Sequence, residues 1–169
     1  TRVSVSSSGA QASPHSSEPS ISYTGRYIAF HCASPDLVLN DTNFASDIFV
    51  HDAQTSTTIR VSVDSSGVEG DRLSRAPSIS ADGMRIAFES DARNLVPNDT
   101  NDKEDIFVHD RTSGMTHVVS VDSSGVLGGG GASSASISPD GFHVAFMGPD
   151  TLAIVPGDAN GQRDWFRHD

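Results

Sequence analysis

ISADGMRIAF, residues 79–88, decides the fold of this chain because it is written nearly the same way three times. It matches ISYTGRYIAF at 21–30 and ISPDGFHVAF at 137–146, a spacing of about 58 residues. Working outward, EDIFVHD at 104–110 matches SDIFVHD at 46–52 and RDWFRHD at 163–169. RVSVD at 60–64 matches RVSV at 2–5 and VVSVD at 118–122. A repeat of this length is the mark of a solenoid, propeller or array.

One repeat reads as four strands. In the middle copy Pro77–Ser80 ends in Ala81-Asp82-Gly83, and Asp-Gly is a strong hairpin signal. Met84–Glu89 follows, with Ile86 and Phe88 alternating against Arg85 and Ala87, a period-two strand pattern. A polar loop from Asp91 to Glu104 leads to a third strand at Asp105–His109. The turn Arg111-Thr112-Ser113-Gly114 leads to a fourth at Thr116–Val121. No segment has a 3.6-residue apolar period, so helix is expected to be nearly absent. A sandwich needs no sequence repeat, and a β-helix usually has shorter coils. The expected fold is therefore an all-β propeller with three four-stranded blades per chain. The blades are expected at 18–64, 76–122 and 134–169, the last lacking its outer strand, with 2–5 as a spare outer strand.

These segments resemble the propeller repeats of the TolB type, the WD-like repeats of bacterial envelope proteins and of peptidase propeller domains. Ser138-Pro139-Asp140-Gly141 has the full signature, Ser80-Ala81-Asp82-Gly83 lacks the Pro, and Ser22-Tyr23-Thr24-Gly25 lacks both Pro and Asp. The resemblance spans essentially the whole chain. It implies the fold and leaves the role open, because such propellers serve many functions.

The phase of the repeat implies incomplete closure. Rings usually have four to eight blades, and an unpaired edge strand is a liability. The expectation is a homodimer forming one six-bladed ring, each chain's Arg2–Val5 strand completing the last blade of its partner. The other reading is a piece of a longer propeller.

The motif closest to chemistry is Asp41-x-Asn43-x-x-x-Asp47, repeated as Asp99, Asn101, Asp105 and as Asp158, Asn160, Asp164. With a carbonyl from Ala45, Lys103 or Gln162, each loop is a candidate oxygen site for a structural Ca²⁺, which takes six to eight such ligands. It departs from an EF-hand loop at the sixth and twelfth positions. The competing reading is an Asx turn, in which Asp and Asn bond their own backbone. Mg²⁺ suits the loops less, since it retains waters.

Other features read more plainly. The histidines His51, His109 and His168 recur in the third strand and are expected to pack there, not to bind metal. No Cys-x-x-Cys, His-Glu-x-x-His or Gly-x-Ser-x-Gly exists. The lone Cys32 excludes an intrachain disulfide and is expected to be half-buried. The run Gly128–Gly131 reads as a linker between blades, and the two Asn-Asp-Thr sequons as coincidence. Trp165 stands where the other copies have Ile, as an interface anchor or a tolerated core change.

The chain has 169 residues, with 22 Asp+Glu against 11 Lys+Arg. That balance argues against nucleic acid or an anionic membrane as partner. No apolar run is long enough to insert in a bilayer. The start at Thr1 suggests processing or trimming. A single lysine among much Ser, Gly and Asp suits a secreted or periplasmic bacterial protein. The leading expectation is a non-enzymatic, calcium-stabilised scaffold for a protein or peptide. The alternatives are a lectin-like propeller, or a hydrolase or lyase with acidic groups in the channel.

Overall fold

A computed structural model describes residues 1–13, 15–149, 154, 155, 157 and 160–169. Among these residues there are eleven strands and no helix. Blade one is β1 (Ser16–Ile21), β2 (Tyr27–Cys32), β3 (Asp47–Asp52) and β4 (Thr57–Arg60). Blade two is β5 (Ser74–Ile79), β6 (Arg85–Ser90), β7 (Asp105–Asp110) and β8 (Met115–Val118). Blade three has β9 (Ser133–Ile137), β10 (Val144–Pro149) and β11 (Arg163–His168). Each sheet is antiparallel and keeps sequence order, four strands in the first two blades and three in the last, as expected.

The repeat makes each blade the same object. Phe30 stacks on Phe49 and Phe88 on Phe107, each at 5.9 Å between ring centres, and Phe146 meets Phe166 tilted at 5.8 Å. Each first strand carries a bulge: the register slips after Ser17 and Arg75 and between Ala145 and Met147. Glu18, Ala76 and Ser134 take positive φ there, 58 residues apart. The bulge re-aims the strand where neighbouring blades meet.

The first strands lie side by side, β1 against β5 and β5 against β9. Side chains of one blade cap the next: Ser20 Oγ accepts from Ile79 N and Ser78 Oγ from Ile137 N. Between blades one and two lies a core of Ala29, Ile48, Val50, Ile79, Ile86, Phe88 and Leu95. Between blades two and three Ala87, Ile106, Val119, Val144 and Phe146 repeat it. Burial of such surfaces is the main force stacking the wedges.

The fourth strand falls earlier than Thr116–Val121. β4 and β8 end at Arg60 and Val118, and the following Val61 and Val119 pack into the cores. Residues 2–5 match 60–63, so only Arg2 corresponds to a strand position; Val5 makes a single bridge to Gln11. The segment does something else. Ser7 Oγ accepts from Thr58 N at 2.9 Å, and Thr58 Oγ1 donates to the Val5 carbonyl. Ser65 and Val63 repeat both bonds with Thr116. A serine turn thus covers part of each outer edge, which an exposed strand needs.

Candidate metal centre

The three loops fold as one motif. Asn43 Nδ2 donates to Asp47 Oδ2 (3.2 Å) and to the Gly70 carbonyl (2.8 Å). Asn101 Nδ2 does the same to Asp105 (2.8 Å) and Gly128 (3.1 Å). Asn160 Nδ2 donates to Asp164 at 2.9 Å. The Asn Oδ1 atoms accept from the backbone N–H of Ala45, Lys103 and Gln162 at 2.8, 2.9 and 2.7 Å. The Asx turn is therefore formed in each copy, and Ala45, Lys103 and Gln162 serve through their N–H groups. Asp158 lies outside the described residues.

The last Asp of each of the first two loops holds the loop on its sheet. Asp47 Oδ1 accepts from Ser62 Oγ and Asp105 Oδ1 from Ser120 Oγ, both at 2.6 Å. Both aspartates are fully buried. Burial pushes Asp47 up to about 6, against the pull of Ser62 and Arg60, and burial likewise raises Asp105.

The loops differ in what faces these acids. In the first, Asp41, Asp47 and Glu69 converge closely enough to share one cation. Arg60 stands among them, its Nη1 at 2.6 Å from Glu69, 3.2 Å from Asp47 and 3.7 Å from Asp41. Neither Arg60 nor Glu69 belongs to the Asp-x-Asn pattern, so the motif alone did not reveal them; their absence from the second copy was the signal. In the second loop Val118 and Leu127 take their places. There Asp99 is buried with Oδ1 lacking a hydrogen-bond partner. Burial first, and the Asp105 charge second, push Asp99 up to about 6.

The histidines are pins. His51 Nδ1 lies 2.9 Å from Thr58 Oγ1 and His109 Nδ1 2.9 Å from Thr116 Oγ1, both buried. Cys32 is fully buried, deeper than half-buried, beneath the Val3–Ala12 segment. Trp165 is 67% exposed. One cluster escaped the motif reading. On β1 and β2, Ser17 Oγ lies 2.9 Å from His31 Nε2, and His31 Nδ1 lies 3.0 Å from Glu18 Oε2. The bulge at Glu18 brings it there, and a bulge leaves no trace in residue alternation.

No family model matches this chain, and no curated protein matches it. Solved structures do. TolB from Acinetobacter baumannii matches over 95% of this chain and 31% of its own, at 16% identity and TM-score 0.52. The tricorn protease matches over 92% and 14%, at 11% identity and TM-score 0.53. A prolyl endopeptidase structure matches over 91% and 20%, at 16% identity and TM-score 0.52. The chain thus spans less than a third of each of these proteins. No helix among the described residues is long and apolar enough to cross a membrane. At these identities the likeness speaks for architecture: the chain has the TolB-like β-propeller fold.

Proposed function

We propose that this chain is a non-enzymatic, calcium-stabilised propeller scaffold that completes its ring with a second copy and binds a protein or peptide there. One observation carries the reading. Ile21 is 63% exposed, while its repeat equivalents Ile79 and Ile137 are 8% and 7% exposed because a blade covers each. Blade three has the matching open face: Ala145 and Trp165 are exposed where Ala87 and Ile106 are buried. A cavity of about 690 Å³ lies between Ser123 and the free edge of β11. In blades one and two the fourth strand fills that place. Thr1 and Arg2 match Ile59 and Arg60, so the exchange of Arg2–Val5 contributes only the end of the missing strand, and face packing carries the contact.

Glycan recognition remains the alternative for the ligand class. Peptide and glycan arrays probed with the same labelled chain test the two; the scaffold reading expects peptide binding and fails on glycans alone. A hydrolase is the second reading, favoured by the Ser17–His31–Glu18 relay, whose order and spacing resemble a nucleophile, base and orienting acid. Against it, Ser17 and Glu18 are exposed, and Glu18 also accepts the Ala76 N–H, a tie between blades. Hydrolysis of an activated ester that Ser17→Ala abolishes would establish the enzyme and end the scaffold reading.

A further inference from the structure

We propose that the second loop, Asp99 to Asp105, is the calcium site, and that the first loop takes no ion because Arg60 already fills the equivalent place. This rests on the calcium reading above and narrows it to one loop of the two that are fully described.

The argument is a comparison of the protein with itself. The first loop brings three carboxylates together and sets a guanidinium among them. Its charge is thereby partly offset, and a divalent ion would have to displace a largely buried arginine. Fifty-eight residues on, Asp99, Asn101, Asp105 and Ser120 are all kept, but Arg60 has become Val118 and Glu69 has become Leu127. The second loop retains its acids and has lost its cation. The nearest positive charge, Arg93, is engaged by Asp102, at 3.0 Å from its Nε, and Asp102 also holds Arg72. Lys103 is exposed.

One further observation points to a ligand. Asp99 is 7% exposed, and its Oδ1 has no hydrogen-bond partner, an expensive state for a carboxylate oxygen; Asp41 Oδ2 in the first loop also lacks one, but there Arg60 Nη1 stands 3.7 Å from the same carboxylate. The donors are Asp99, Asp105 Oδ2 and the Gly128 carbonyl, the last two now held by Asn101 Nδ2, while Asn101 Oδ1 keeps the Lys103 N–H of the Asx turn. An all-oxygen set completed by water is the chemistry of Ca²⁺, with ligands at about 2.3–2.6 Å.

The test is calorimetric titration of the chelator-stripped full chain with CaCl₂, with circular dichroism as the control for folding. Asp99→Asn is expected to bind one ion fewer than the unaltered chain, and Asp41→Asn the same number. Val118→Arg, which supplies a guanidinium in place of the ion, is expected to lose the ion and keep the fold. Arg60→Val with Glu69→Leu is expected to gain one ion. An Asp99→Asn chain that binds as many ions as the unaltered one, or a loss that follows Asp41, overturns the inference while calcium binding stands. An unaltered chain that takes up no calcium overturns both.

Discussion

At the scale of single residues, the blades also meet where one blade's turn touches its neighbour's side chain. Gly83 is the clearest case. It sits at φ +77° in the Asp-Gly turn of blade two, and a Cβ there would run into the Tyr27 ring of blade one. Arg26 and Arg111 flank that ring at 4.8 and 4.4 Å from its centre. Gly83→Ala therefore meets both backbone strain and a clash, with an expected loss of about 2–3 kcal/mol. For a chain this size that is a fall of roughly 5–10 °C in Tm, read by thermal melting. The Asp-Gly turn was legible in the sequence; Tyr27 beneath it was not, because the contact joins residues of different repeats.

The buried histidines give one part of the pH dependence. Burial lowers the pKa of His51 and His109 below the ordinary 6.5, so the fold favours their neutral form. A lowered histidine leaves stability complete above the unfolded value, about 6.5, and withdraws it as pH falls towards the folded value. The raised acids Asp47, Asp99 and Glu104 work the other way, since the fold favours their protonated form as pH falls. Between pH 7 and pH 5 the unaltered chain is therefore expected to lose more melting temperature, or gain less, than the His51→Gln, His109→Gln double variant; identical profiles would contradict the histidine contribution.

At the scale of elements, the second and third strands were readable because apolar and polar residues alternate and Asp-Gly separates the hairpins. The fourth was misplaced. Val118–Val121 has the apolar character of a strand, yet Val119 is buried between blades and the ladder ends at Val118. The true outer strand, Met115–Val118, is exposed at Met115 and His117, with only Thr116 fully buried. Thr116 joins three parts: its hydroxyl meets His109 and the Val63 carbonyl, and its N–H meets Ser65. Thr116→Val leaves His109 and Val63 without that partner, an expected cost of about 2–3 kcal/mol. Native-state hydrogen exchange should show the β8 edge opening first. A variant as stable as the unaltered chain would reduce the serine turn to a bystander.

At the scale of the whole molecule, the blade count and the three acidic loops followed directly from the period. The difference between the loops did not, because it depends on Arg60 and Glu69, distant in sequence from the Asp-x-Asn motif and brought to it only by folding. Likewise the Ser17–His31–Glu18 cluster needs a bulge that composition does not announce. The open faces are a property of the count of wedges: Ile21 and Trp165 are exposed at opposite ends of the stack. In the proposed dimer, burying such faces against each other would drive closure, and an interface of this kind needs an apolar centre with a polar rim.

The most direct test of that account is the mass in solution, by light scattering on a sizing column at micromolar concentration. The expected result is twice 17.8 kDa for the unaltered chain and 17.8 kDa for a folded Ile21→Asp, Trp165→Asp double variant. A stable, fully folded species of 17.8 kDa from the unaltered chain at every concentration would contradict it.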